Sequence, residues 1–351
     1  MTQLFPTAVV GSMPRSQFVR DLLDPEQEGK LPQKAFDKQM DAAVAYMIAM
    51  QESSGIDIIS DGEWRRRSYI GVIAEIVDGF ERTIRDGRYW HTVVDRMELR
   101  RPGLIAKQAQ FLKAHTDRLT KVTLPSPYLL GQRMWDPDRS RVAYPTREDF
   151  TEALIPLLRD ELIAVRDVGV TIAQFDDPHL CLFVDEKIRR AYDDPEREMA
   201  YGVDMLNRIV EGVDGIKIAI HLCRRNKGRS GWVGEGGYEP ILPYLKKLHV
   251  HQYVMEFTIP AAGDVEVLRE LPEDKEVGLG CVDCRGEHID TPEEIVGRVE
   301  RALKYLSPER ITLNPDCGFA PGSEAHIPMD EAYQKLRNEA RAAEILRDKY
   351  G

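Results

Sequence analysis

Short apolar or β-branched runs recur along this chain, each followed by a polar loop and then by a stretch with helical spacing. Eight such runs stand out: Thr7–Val10, Ile56–Ser60, Val122–Leu124, Thr171–Phe175, Ile216–Ile220, Tyr253–Met255, Val277–Val282 and Ile311–Leu313. Their near-continuous hydrophobicity suits strands buried on both faces, as in a parallel sheet. The amphipathic stretches between them predict helices over Lys34–Ser54, Arg147–Val168, Pro195–Val213, Tyr238–Leu248, Thr291–Leu306 and Met329–Lys349. One of these opens on "TPEEI", with a Thr cap, Pro at the first helical position and acids in the first turn. Eight β/α units in 351 residues fit a (β/α)8 TIM barrel better than a two-domain doubly wound protein.

No internal repeat or linker divides the pattern, so residues 1–351 read as one α/β barrel domain with a long insertion after the second strand, residues 62–121. Within that insertion "FERTIRDGRYWHTVV" predicts a hairpin turning at Asp86-Gly87, and Pro102–His115 predicts a helix. Excursions of this length at the C-terminal ends of barrel strands usually build part of an active site.

Composition narrows the partners. A formal net charge of −11 argues against a nucleic acid or an anionic membrane surface, both of which need a basic face. The basic runs "EWRRRSY" (Arg65, Arg66, Arg67) and "LCRRNKGR" are short and sit in candidate site loops, which suits contact with a small anion or ordinary solvated surface. The N-terminus lacks a basic stretch leading into an apolar one, and no window approaches the ~18 apolar residues of a membrane span, so a cytoplasmic protein is expected. Five cysteines, an odd count without small-scaffold spacing, point to reduced thiols that are free to bind metal.

In a barrel the residues just after each strand converge on one mouth. Here those are Gly11-Ser12, then "SDGE" with Asp61 and Glu63, "DDPH" with Asp176, Asp177 and His179, and then His221 with Cys223. The last three strands end in Glu256, in Asp283 within "CVDC", and in "NPDCG" with Asp316 and Cys317. His221, Cys223, Glu256 and Cys317 form a candidate metal set. An imidazole, two thiolates and a carboxylate suit Zn²⁺ at tetrahedral geometry, with the carboxylate the most readily displaced. Such a sulfur-rich site suits thiol activation, because a thiol with a pKa of about 8.5 loses its proton on coordination and stays nucleophilic. Glu63 and Asp176 form an acidic pair able to hold an ammonium group, or serve as loop caps and partners for Arg65–Arg67. His179 is a candidate for proton transfer or a structural histidine. Cys281 and Cys284 lack a second pair, and residues three apart in a strand face opposite ways, so they read as buried thiols. Cys181, between two leucines, reads as core.

These motifs carry a resemblance. "HLC", the Glu of "MEF", "NPDCG" and an N-terminal "VGSMPR" resemble, in order and along essentially the whole chain, the catalytic C-terminal domain of cobalamin-independent methionine synthase. "CRRNKGRSGWVGEGGYEPI", "LGCVD" and "CGFA" are similar to its shorter single-barrel members, a subgroup that includes epoxyalkane:coenzyme M transferase. The resemblance implies a zinc enzyme that moves an alkyl group onto a thiol, with His221, Cys223, Glu256 and Cys317 as Zn²⁺ ligands and Ser12, Glu63 and Asp176 holding the amino-acid part of homocysteine. It also implies a proton-transfer role beside Asp283. Where the family has a His two residues after that Asp, this chain has Arg285, with His288 three residues further on. For stacking a pterin, "LPSPYLL" offers only Tyr128, with Trp135 beyond it.

The leading expectation is zinc-dependent methyl transfer to homocysteine, as in methionine biosynthesis, from methyltetrahydrofolate or a methyl-corrinoid. Alkyl transfer to another thiol, with Arg65–Arg67 or Arg224 and Arg225 binding a sulfonate, is the alternative. A zinc-binding barrel without turnover is the third.

Overall fold

The computed structural model describes residues 3–85, 88–320 and 327–351. Seven parallel strands form one sheet: β1 (Ile58–Ile59), β4 (Leu119–Pro125), β5 (Ile172–Asp176), β6 (Lys217–Leu222), β7 (Gln252–Met255), β8 (Glu276–Val282) and β9 (Ile311–Pro315), in that spatial order. The segment around Thr7 closes the ring. The Ala8 amide donates to the Leu313 carbonyl at 2.9 Å, and the Ile58 amide donates to the Thr7 carbonyl at 2.9 Å. Closure abolishes both sheet edges, and the result is the expected TIM barrel.

Burial follows the sequence pattern. Every residue of β5 and β9 is buried, as continuous apolar strands between a filled interior and an outer helical layer require. The long helices Gln33–Ser54, Arg147–Asp167, Pro195–Val210, Pro292–Ala302 and Met329–Tyr350 supply that layer. Thr146 and Thr291 each close a capping box at their helix starts, satisfying amides that have no intrahelical partner. One apolar core runs from Phe5 to Leu346. A second, small cluster of Ala8, Val10, Ile58, Ile172, Ala219 and Val254 joins aliphatic side chains from five barrel segments.

The insertion contains the hairpin β2 (Phe80–Arg85) and β3 (Arg88–Val93), antiparallel with Phe80 opposite Val93, and the helix Leu104–Ala114. The expected turn at Asp86-Gly87 lies outside the described residues. One helix is corrected: of Tyr238–Leu248 only Leu242–Leu245 is helical. Pro240 and Pro243 each lack an N–H and crowd the preceding turn, so the amphipathic spacing cannot become a continuous helix. The sequence reading also missed the helices Gln17–Leu23 and Pro127–Met134. The second starts directly after β4, with Ser126 capping the Leu129 amide and Pro at the first position.

Candidate functional site

Strand alternation places the site. Along β6 the side chains of Ala219 and His221 share a face, and Ala219 belongs to the small interior cluster, so His221 faces inward at the strand's end. By the same count Asp176 on β5 and, just past their strands, Glu256 and Asp316 face inward at the same end.

His221, Cys223 and Cys317 are buried and offer ligand atoms that all lie within 4.8 Å of one another. His221 Nδ1 lies 3.3 Å from the Val254 carbonyl. Nε2 is buried without a hydrogen-bond partner. A carbonyl acceptor selects the Nδ1–H tautomer and leaves the Nε2 lone pair for a cation. A hydrogen bond from the Cys317 thiol holds Cys223 well below the usual thiol range against the effect of burial, aided by His221 and by the Arg225 amide. That shared proton, together with burial, pushes Cys317 up. Burial opposes charge on His221, yet the adjacent Cys223 thiolate outweighs it and raises the imidazole to about 9. One imidazole nitrogen without a hydrogen-bond partner and two clustered sulfurs make a donor set that fits Zn²⁺.

Glu256 is not brought into this group. It is fully buried, with one carboxylate oxygen accepting from the Arg224 amide at 2.9 Å and from Arg224 Nη1 at 3.2 Å. Its other oxygen pairs with Arg285 Nη2, while Arg285 Nη1 donates to Asp316 at 3.0 Å. Arg285 thus binds the carboxylate expected as a fourth ligand. Gly280 on β8 makes room for this arrangement, since a Cβ there would lie 2.4 Å from Asp316 Oδ1 and 2.6 Å from the Met255 carbonyl.

Ser12, Glu63 and Asp176 line one cleft of ≈ 1030 Å³ together with His221, Cys223 and Cys317. Glu63 has a left-handed backbone (φ 58), and its Oε1 accepts from Thr123 Oγ1 at 2.6 Å. Asp176 accepts from Gln174 at 2.8 Å. Burial raises it to about 7 with help from the Glu63 charge, against the pull of His221. The hairpin supplies a wall of this cleft through Tyr89, Trp90 and His91, residues that no sequence motif marked.

The other candidates lie elsewhere. The Asp283 carboxylate accepts from the amides of Arg285 at 2.8 Å and Gly286 at 3.0 Å, which makes it the cap of its own loop. His288 is exposed and paired with Glu294 at 3.0 Å, far from the role expected of an acid at the centre. Its grouping with Asp290 and Glu294 reflects helix capping by Glu294 and an Asp290–Arg298 ion pair at 2.7 Å. His179 sits in the turn after β5 with Nε2 buried and unpartnered, and burial, with Arg225 and Arg133 nearby, lowers it to about 3. Cys281 and Cys284 are buried thiols outside the three-residue group. Tyr128 is buried in its helix, and Trp135 donates to the Tyr144 carbonyl; neither lines the cleft. Of the basic runs, Arg65 pairs with Asp41 at 2.6 Å, and buried Arg66 donates to the Thr123 carbonyl at 2.9 Å. Arg67 lies 3.9 Å from Glu28 but does line the cleft, as do Arg225 and Arg133.

Residues 5–345 match the family model described as cobalamin-independent synthase, catalytic domain. A methionine synthase of Saccharolobus islandicus is 28% identical over 98% of this chain and 96% of its own length. One from Sulfurisphaera tokodaii is 27% identical over 98% and 93%. Among solved structures, a B12-independent methionine synthase from Shewanella in complex with selenomethionine superposes with a TM-score of 0.81 at 24% identity, covering 99% of this chain and 98% of that one. A methyltransferase from Methanosarcina mazei has a TM-score of 0.58 at 14% identity, covering 100% and 95%.

Proposed function

This chain belongs to the cobalamin-independent synthase catalytic-domain family, and we propose that it transfers a methyl group to the sulfur of homocysteine at the His221–Cys223–Cys317 centre. The observation that carries this reading is the clustering of one imidazole and two sulfurs, buried and within 4.8 Å of one another, on the wall of a cleft that also presents Glu63 and Asp176. His221, Cys223 and Cys317 would hold Zn²⁺, the three-ligand arrangement that leaves a catalytic site one exchangeable position. The chemistry bound Zn²⁺ supplies is acidification of a thiol that then remains nucleophilic.

The chain's own residues do the rest. Glu63 and Asp176 hold the substrate ammonium, with Ser12 beside them, and this orients the sulfur for attack on the methyl carbon. The hairpin wall covers the cleft and limits water around the reacting atoms. Arg224 and Arg285 hold the Glu256 carboxylate, which leaves His221, Cys223 and Cys317 as the residues that would hold Zn²⁺. The methyl donor is a methylated folate or a methyl-corrinoid. Unpaired buried cysteines suit a reducing, cytoplasmic setting, and among the described residues no helix is long and apolar enough to cross a membrane. A second reading, alkyl transfer to a thiol other than homocysteine, is favoured by Arg133 and Arg225 on the cleft wall, which have no ion-pair partner among the described residues.

Metal analysis combined with X-ray absorption is the test. About one zinc per chain is expected, with a sulfur ligand added on homocysteine binding, and the metal lost in Cys223→Ser and in Cys317→Ser. A full zinc complement in both variants would overturn the ligand assignment. An unchanged zinc shell with homocysteine present would overturn the thiol's place at the metal.

A further inference from the structure

The cleft has two chemically opposite parts. One holds Glu63 and Asp176; the other holds two cations without an ion-pair partner among the described residues. Arg133, from the last turn of the helix Pro127–Met134, and Arg225, from the loop after β6, both line the cleft. Among the described residues neither guanidinium has a hydrogen-bond or ion-pair partner, and the packing contact of Arg133 is the Trp90 ring at 5.1 Å. Burial lowers the pKa of Arg133, and the charge on Arg225 lowers it further, against the opposing effect of Tyr69. Both cations also bear on Tyr69, a cleft residue, and on His179, whose Nε2 is sealed from water with no partner.

Arg225 is held there at a cost. Its φ is 57, in the left-handed region that side chains with a Cβ disfavour, and such strain gathers where a site needs it. Its amide meanwhile bonds to the Cys223 sulfur, so the guanidinium is tethered next to the reacting centre. Two half-buried cations on one cleft wall, each without an ion-pair partner among the described residues, are unfavourable until an anion joins them. The planar guanidinium fork matches the oxygens of carboxylate, sulfonate or phosphate.

We propose that Arg133 and Arg225, with Tyr69, form an oxyanion-binding subsite that takes a carboxylate, sulfonate or phosphate group carried by a substrate of the transfer reaction. This rests on the reading of the cleft as an alkyl-transfer site, and it names the substrate class. At least one of the two substrates carries an anion, and a cationic alkyl donor such as a sulfonium is repelled.

The test is a calorimetric titration of the full-length protein with three probes, methanesulfonate, glutarate and inorganic phosphate, and with methylammonium as the control. Wild type binds at least one oxyanion saturably. Arg133→Met and Arg225→Met each weaken that binding about tenfold or more, Arg→Lys at either position recovers part of it, and Lys227→Met on the cleft rim changes it less than about threefold. Circular dichroism establishes that each variant is folded. No saturable oxyanion binding by wild type, or equal binding by the two Arg→Met variants, would sink the subsite. Saturating homocysteine then assigns the source: displacement of the probe means the anion belongs to the thiol, and simultaneous binding means it belongs to the alkyl donor. Neither readout involves turnover, so a protein that binds the probes yet transfers no alkyl group refutes the transfer reading alone.

Discussion

Arg224 and Arg225 are neighbours in sequence with opposite fates. Arg224 is fully buried, donating to the Gly236 carbonyl at 2.6 Å, the Tyr238 hydroxyl at 3.0 Å, the Ala262 carbonyl at 3.0 Å and Glu256 at 3.2 Å. With Arg285, Asp316 and Tyr238 it builds a network behind Cys223 in which each charge meets its opposite. The Arg225 guanidinium, on the cleft side of the same sulfur, has no hydrogen-bond or ion-pair partner among the described residues. The difference teaches where structure ends and binding begins. A compensated buried network fixes one arrangement, whereas an uncompensated cation at a cleft leaves its partner to come from outside.

Breaking the compensated side has the largest effect. Arg224→Ala leaves part of the Glu256 carboxylate buried and unpaired, and should cost about 3–5 kcal/mol of stability by denaturant unfolding. Lys121 tests an intermediate case, a fully buried cation whose hydrogen bond goes to the Val9 carbonyl at 2.9 Å. Burial lowers its pKa from 10.5 to about 8, against the opposing charges of Asp176 and Glu339. Across that window the unfolded chain binds more protons than the folded one, so stability rises with pH. Relative to Lys121→Met, wild type should gain about 2 kcal/mol between pH 7 and 9.5, and a flat difference would mean that Lys121 is not desolvated. Arg225→Gly is the smallest. It relieves the left-handed backbone while loosening the unfolded chain, and stability should stay within about 1 kcal/mol of wild type. A loss above about 2 kcal/mol would mean that Arg225 is held by partners and would erase the contrast with Arg224.

Much of the barrel was legible because its signals are local. Continuous apolar runs of strand length, a Thr-Pro-Glu-Glu helix start and the polar residues that follow each strand each depend on a few adjacent positions. His221, Cys223 and Cys317 could be read for that reason: the segments just after parallel barrel strands open on one mouth. The proline-broken segment at Tyr238–Leu248 misled because its apolar spacing is helical while its backbone chemistry is not. His288 misled because proximity in sequence to Asp283 says nothing about a loop that turns outward to cap the helix Pro292–Ala302.

The amino-acid order by itself determined the eight-fold alternation of strand and helix, the mouth at which the ionisable residues gather, and the types of donor available to a cation. Only the tertiary structure decided which of them meet. Arg285 reaches Glu256 and Asp316 across three strand ends, and Arg133 comes from a helix to the cleft that Arg225 lines from a loop. The Arg285 pairings depend on barrel closure and on glycine-sized gaps such as Gly280, and they are set by which charges can be satisfied together in a space without water.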